Sequence, residues 1–539
     1  MNLDLRRLLS RPFVLAVLFF PIPVILFRLY PSSFWATDDY QPLGLANALN
    51  LAYRLGDLTM YPARGLTGHP GVPFYFTSWI SLALSGYPLA PKEPGFLDTV
   101  IENVEQFHLL TVWLAAATGA GGIYIFVRAS RGLAPVEVIA AALLIWLAST
   151  PATLLSFVSP SIDTFAIIIN ALSFAVLLRL ANDPNVSPGT VVLAACVGAL
   201  AYLNKLSYIY IPLALAVAGI ANLALRRVGW VRASRLSLLW GATLLLVVSA
   251  VGFLIIGQEG FHHLRQFHKA IFLHSGLYGA GDEGSISSSE VWRALAAIPL
   301  DRAYAMILAL IGGLVLTAGG IVTAIRRPQN VAIAVLSIGT GTASLLSAAI
   351  VMKHYAVHYT AGVSATLPAS LVAGYVLAKS WGLRLTAAPM AAVVAAVLLM
   401  SYPVTTSLIS LLAARTGTSD FAKADLDEIR AHTAGIGRAV EFAYRAPFAA
   451  YGEGFVVTYG SVPRLTEEYL RSRDNAVSSM MQGTAQRDVG AYVIDKRYFP
   501  SVESVEVAPN VALLGPNPVK FKNGDRLIEL RTVFVLIPG

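Results

Sequence analysis

YAMILALIGGLVLTAGGIVTAI, residues 304–325, contains no Asp, Glu, Lys or Arg and stops against Arg326 and Arg327. About twenty uncharged, apolar residues are what a helix needs to cross the hydrocarbon core of a bilayer, and a basic pair at one end marks its orientation. Working outward from this run, further apolar runs of membrane length fall near 13–30, 108–127, 136–150, 162–180, 190–204, 207–225, 236–257, 331–351, 357–378 and 386–406. Together they predict about eleven transmembrane helices. Apolar residues make up 56% of the 539 positions and charged residues 13%, which excludes a single soluble core. The fold class expected is an α-helical polytopic membrane protein.

The formal charge of +8 could suggest a nucleic-acid partner, but the basic residues are scattered in short clusters between the apolar runs. That is an orientation signal, so no nucleic acid is expected. With the N-terminus inside, the inner segments hold Arg6, Arg7 and Arg11, then Arg128 and Arg131, Arg179, Arg226, Arg227, Arg232 and Arg235, Arg326 and Arg327, and Lys379 and Arg384. Every inner loop is then basic, and an odd number of spans puts the C-terminus outside. The first run carries Pro21 and Pro23 and lacks a small-residue cleavage site, so it reads as a retained span. The tight reversal at Asn204-Lys205 separates two spans, and the semi-apolar run 72–87 could be re-entrant. Cys196, the one cysteine, lies inside an apolar run and reads as a small buried hydrophobe.

The distinctive polar residues then sort to the outer face. The first outer loop, 31–107, opens with FWATDDYQPLGLANALNLAYRLGDLTMYPARGLTGHPGVPFYF (34–75). Asp38 and Asp39 stand shortly past the first span. Pro42 starts a helix with Leu45, Leu49, Ala52 and Leu55 on one side, which describes a helix lying in the interface. Gly68-His69-Pro70-Gly71 returns an imidazole toward the membrane. Farther on, Asp163 sits at an outer span mouth and Lys205 at an outer turn. The segment 258–303 carries His262, His263, Arg265, His268, Lys269 and His274, and Lys353-His354-Tyr355 with His358 and Tyr359 ends another span outward.

Each motif has a plainer reading. Asp39 can cap the helix that begins near Pro42, because a carboxylate accepts the free N–H groups of a first turn. Two adjacent carboxylates exceed what one cap needs, and like charges raise each other's pKa, so at least one is expected to be a base or a metal ligand. His69 can be a turn residue bonded to a backbone carbonyl. His262 to His274 have spacings poor for one metal-binding face and suit an interfacial loop better. Lys353, His354 and His358 can snorkel, yet three basic groups near one helix end also suit a phosphate.

This layout resembles the C-type (GT-C) membrane glycosyltransferases, which include protein O-mannosyltransferases, aminoarabinose transferases and arabinosyltransferases. The resemblance rests on an acidic residue soon after the first span, here Asp38 or Asp39, on surface helices in that loop, and on the basic outer span end Lys353-His354-Tyr355. It covers roughly residues 1–410 and rests on arrangement more than on exact motifs. Many relatives have Asp-Glu where this chain has Asp-Asp. The resemblance implies an integral enzyme of the bacterial inner membrane that takes sugar from a polyprenyl-phosphate donor on the periplasmic side. The acceptor would be a glycan, a lipid or a protein. Asp38 and Asp39 are then the catalytic candidates. His69, Asp163, Lys205, His274, Lys353, His354, Tyr355 and His358 are the substrate-binding ones. A divalent cation, with Asp39 and His69 as candidate ligands, could supply some of the charge. A lipid-linked glycan ligase and a lipid or solute transporter are the competing readings.

After residue 410 the apolar runs shorten to strand length. FVVTYG (455–460), AYVIDK (491–496) and RLIELRTVFVLI (526–537) alternate with helical stretches near 421–445 and 463–482. Residues 411–539 therefore predict a small extracytoplasmic α/β domain, and residues 1–410 a transmembrane domain. No phosphate loop appears in the smaller domain, and no catalysis is assigned to it.

Overall fold

The computed structural model describes residues 11–30, 71–86, 104–274, 288–383, 387–434, 436, 439–443, 477–479, 489–496, 524–537 and 539. Two compact units divide the chain: one takes residues up to Ile25, Thr67–Phe74 and Val112–Ile409, the other Leu26–Leu66, Tyr75–Thr111 and Ser410–Gly539.

All eleven apolar runs are helical among the described residues. The helices are α1 (Pro12–Leu29), α2 (Val72–Leu84), α3 (Val104–Ser130), α4 (Val136–Ala148), α5 (Pro151–Val158), α6 (Ala166–Asn182), α7 (Pro188–Asn204), α8 (Tyr210–Leu225), α9 (Trp230–Leu273), α10 (Ser288–Leu300), α11 (Tyr304–Arg326), α12 (Val331–Lys353), α13 (Thr360–Ser364), α14 (Leu367–Ser380) and α15 (Ala387–Thr433). Nine helical stretches among the described residues are long and apolar enough to cross a membrane. Two runs of the expected eleven depart from a straight, full-length span. The run 136–150 ends in a 78° bend between α4 and α5, because Pro151 cannot continue a helix and Thr150 caps a new one by accepting the Ala152 N–H. The run 190–204 is a 17-residue helix, short of the usual span. The semi-apolar run 72–87 forms α2, a 13-residue apolar helix.

Packing in the larger unit is aromatic at one point and glycine-mediated at others. Phe19 meets Phe157 edge-on at 5.2 Å and Trp146 at 5.6 Å, and a Cβ on Gly119 would sit 2.5 Å from the Phe19 ring. The main core joins α3, α4, α6, α7, α8, α12 and α14.

In the smaller unit a five-stranded sheet is built from β1 (Ala439–Ala443), β2 (Val477–Ser479), β3 (Val489–Asp495), β4 (Arg526–Glu529) and β5 (Val533–Ile537), in the order β2-β1-β3-β5-β4. β1 pairs in parallel with β2 and β3, while β5 runs antiparallel to β3 and β4. The strand expected at 491–496 is β3, and the run 526–537 is a hairpin. Two expected helical stretches need correction. The helix stops at Thr433, and AVEFA forms β1 instead. Residues 477–479, expected within a helix, pair along β1. The strand expected at 455–460 lies outside the described residues. Buried Asp425 of α15 accepts the backbone N–H groups of Arg531 and Thr532 and so holds the turn of the β4–β5 hairpin.

Candidate functional site

Asp163 opens the 3-10 turn Ile162–Phe165 that leads into α6. The turn is fixed by a reciprocal cap: Ser161 Oγ accepts the Asp163 N–H at 3.2 Å, and Thr164 Oγ1 accepts the Ser161 N–H at 2.9 Å. Lys205 ends α7 in an extended backbone, after which the chain reverses through the 3-10 turn Leu206–Ile209 into α8. Two residues forty-two positions apart are thereby brought together. Lys205 Nζ donates to Asp163 Oδ2 at 2.6 Å, and the Tyr208 hydroxyl donates to Oδ1 at 2.9 Å. The lysine is 1% and the aspartate 2% exposed, so the pair is withdrawn from bulk solvent.

Two further contacts complete this group. The Lys205 ammonium lies 4.2 Å over the Tyr359 ring, an attraction between a cation and the ring face. Tyr359 in turn meets His358 edge-on at 4.1 Å. A Cβ on Gly362 would stand 2.7 Å from the Tyr208 ring, so glycine there gives the phenol its place. Asn204 donates to the Ile162 carbonyl at 3.0 Å, and the Gly71 N–H donates to the Asn204 carbonyl at 3.0 Å. Gly71 follows His69 by two positions, so the chain just past His69 is tied to the Lys205 turn.

A second group forms where α12 ends. Lys353 Nζ donates to the Ile271 carbonyl in the last turn of α9. Both ring nitrogens of His354 are buried without a hydrogen-bond partner among the described residues. Burial, then the neighbouring Lys353 charge, push the His354 pKa down to about 4 against the opposing pull of Glu290. His354 is therefore neutral at pH 7 and can donate one N–H, while Lys353 carries the charge. Burial, together with Asp301 beside it, pushes the Tyr355 phenol above its usual range. The two groups share one apolar cluster that contains Tyr355, Ala356 and Tyr359.

The structure thus joins Asp163, Lys205 and His358 in one group and Lys353, His354 and Tyr355 in another. His274 is half-buried just past α9. Asp38, Asp39 and His69 lie outside the described residues, as do the side chains of His262 and His263. Among the described residues no three His, Cys, Asp or Glu side chains gather as a metal site. Sequence reasoning named Tyr359 without a role and missed Tyr208, Glu290 and Asp301. Only Tyr208 carried a usable signal, its spacing three residues past Lys205 on a tight turn.

No protein-family model matches the chain, and no curated protein matches it in sequence. Its structure is similar to that of ArnT from Cupriavidus metallidurans, solved with undecaprenyl phosphate bound. The TM-score is 0.50 at 14% identity, over 96% of this chain and 97% of that one. The fold is GT-C.

Proposed function

We propose that this chain is a membrane glycosyltransferase that moves a sugar from a polyprenyl-phosphate donor to a glycan, lipid or protein acceptor at the extracytoplasmic face of the bacterial inner membrane. The observation that carries this reading is the GT-C fold, shared end to end with a protein solved holding undecaprenyl phosphate. The grouping of ionisable residues at helix ends supports it further. A transporter would be expected to bury such groups at mid-span around a substrate path.

In this scheme Asp38 accepts the proton of the acceptor hydroxyl. The oxygen attacks the anomeric carbon, the bond from that carbon to the carrier phosphate breaks, and the phosphate leaves with its electron pair. Lys353 offers its ammonium and His354 a neutral N–H to that phosphate. Lys205, neutralised by Asp163 and covered by the Tyr359 ring, fixes the adjoining turn. Asp39 caps the helix near Pro42 or, with His69, holds a divalent cation.

The test uses the full-length protein in lipid nanodiscs with a polyprenyl-phosphate-linked sugar. Asp38→Asn keeps size and most hydrogen bonding but removes basicity, so turnover should drop by roughly 10²-fold or more while donor binding persists. Full activity in both Asp38→Asn and Asp39→Asn would remove the first loop from the chemistry.

A further inference from the structure

Helix α10 has an apolar face on each side. At 100° per residue, Trp292, Leu295, Ala296, Pro299 and Leu300 fall within one sector, and all five are exposed, Trp292 at 71% and Leu300 at 82%. The opposite sector carries Ala294 and Ile298, both buried; Ile298 packs with Met306, Val351 and Tyr359. The buried sector accounts for the helix docking on the bundle. It gives no account of the outward one.

The connection to α11 says what covers that outward face. Ala303 N–H donates to the Ile298 carbonyl and Arg302 N–H to the Pro299 carbonyl, with Arg302 at φ +55°. This is a Schellman ending with Ala303 packed against Ile298, and it stops the helix abruptly. Arg302 is further held by its bond to the Pro403 carbonyl at 2.7 Å. Only Asp301, Arg302 and Ala303 separate α10 from Tyr304, the first residue of a membrane-length span. An exposed apolar face joined so closely to a span is continuous with the span's own lipid-facing surface. The charged Glu290–Arg293 pair, 3.1 Å apart, lies off the apolar sector, where headgroups and water would reach it. A tryptophan at such a boundary is the side chain favoured there.

We propose that α10 lies in the interfacial layer of the bilayer with its Trp292–Leu300 face among the acyl chains of membrane phospholipid. Its inner side borders the end of α12, so Lys353 and His354 stand at headgroup depth, where a lipid-borne phosphate can reach them. The surface itself does not depend on the sugar-transfer reading; only this last consequence does.

The experiment places single cysteines at positions 292 and 296 in a Cys196→Ala background. The variants are spin-labelled, and the full-length protein is measured in phosphatidylethanolamine–phosphatidylglycerol nanodiscs. Collisions with oxygen should exceed those with a water-soluble nickel chelate at both sites. Greater nickel access would place the face in water, and shielding from both reagents would mean that protein, a second copy or another partner, covers it. Either result overturns the proposal. Brominated phospholipid provides a check without labels: it should quench the wild-type protein measurably more than Trp292→Phe, and equal quenching would also overturn it.

Discussion

Asp163 and Lys205 have almost no contact with solvent, so their charges are tolerable only together. Removing one partner leaves a buried, uncompensated charge, which costs about 3–5 kcal/mol, whereas replacing both with apolar residues is often close to neutral. Lys205→Met should therefore lower thermal stability in nanodiscs sharply, and Asp163→Leu with Lys205→Met should recover much of the loss. A double variant no better than the single would mean the pair contributes little as a pair. His354 gives a pH signature. Its folded pKa, about 4, lies below the ordinary 6.5, so the native state favours the neutral ring. The stabilising contribution is complete above 6.5 and is lost as pH falls toward 4, because the unfolded chain takes up the proton first. His354→Gln should flatten the fall in stability between those values, and an unchanged slope would assign the fall to other groups. Asp163 and Lys205 were legible in the sequence because a charge beside an apolar run has few bland explanations. Tyr359 was not, since an aromatic at a span end is ordinary and only the fold puts its ring under a lysine.

Helices were read well because their signal is composition over some twenty residues, and their interruptions were read less well because those are local. Pro151 was visible in the sequence, but a proline can kink a span or end it, and only the cap on Thr150 decides for a new helix. In the smaller unit, short stretches with weak periodicity hid β1 and β2, where pairing partners rather than propensity select the strand. The contact between α11 and α12 rests on another feature that composition conceals. A Cβ on Gly341 would stand 2.4 Å from Thr317 Oγ1, 2.7 Å from Thr317 N and 2.8 Å from the Gly313 carbonyl. Two of those neighbours are backbone and cannot rotate away, so the helices would have to part. Gly341→Ala should destabilise the protein by about 1–3 kcal/mol. Gly241→Ala, at a helical site where a Cβ meets nothing within 4 Å, should be neutral or stabilising by up to about 1 kcal/mol. Thermal unfolding of the two variants in parallel gives the comparison, and equal midpoints would mean the α11–α12 contact is looser than its glycines imply.

At the scale of the molecule, the sequence and the helix ends point to the same polarity. Arg226 donates to the Ala181 carbonyl at 3.1 Å and Arg232 to the Asn185 carbonyl at 2.9 Å, so the basic ends of α6, α8 and α9 meet. Asp163 and Lys205 mark the other ends of α6 and α8. The number of crossings among the described helices turns on α7, a 17-residue helix. It starts where Thr190 meets Arg179 and Asp183, at the arginine end, and finishes at Asn204, beside Ile162 at the other end. It therefore covers the whole distance that α6 covers. α5, by contrast, starts and finishes at the Asp163 end: Thr150 bonds Thr360 at 2.7 Å just before it, and Thr164 bonds the Ser156 carbonyl within it. Among the described residues α7 then adds a crossing and α5 does not. The positive-inside expectation puts the arginine ends in the cytoplasm and, with eleven spans, the C-terminus outside. A topology reporter fused after Arg227 should read cytoplasmic, and one fused after Gly460 extracytoplasmic. Two cytoplasmic readings would mean that one of these helices is miscounted, with α7 the first suspect. A reversed pair would put Asp163 and Lys205 at the cytoplasmic face and remove the ground for an extracytoplasmic lipid donor.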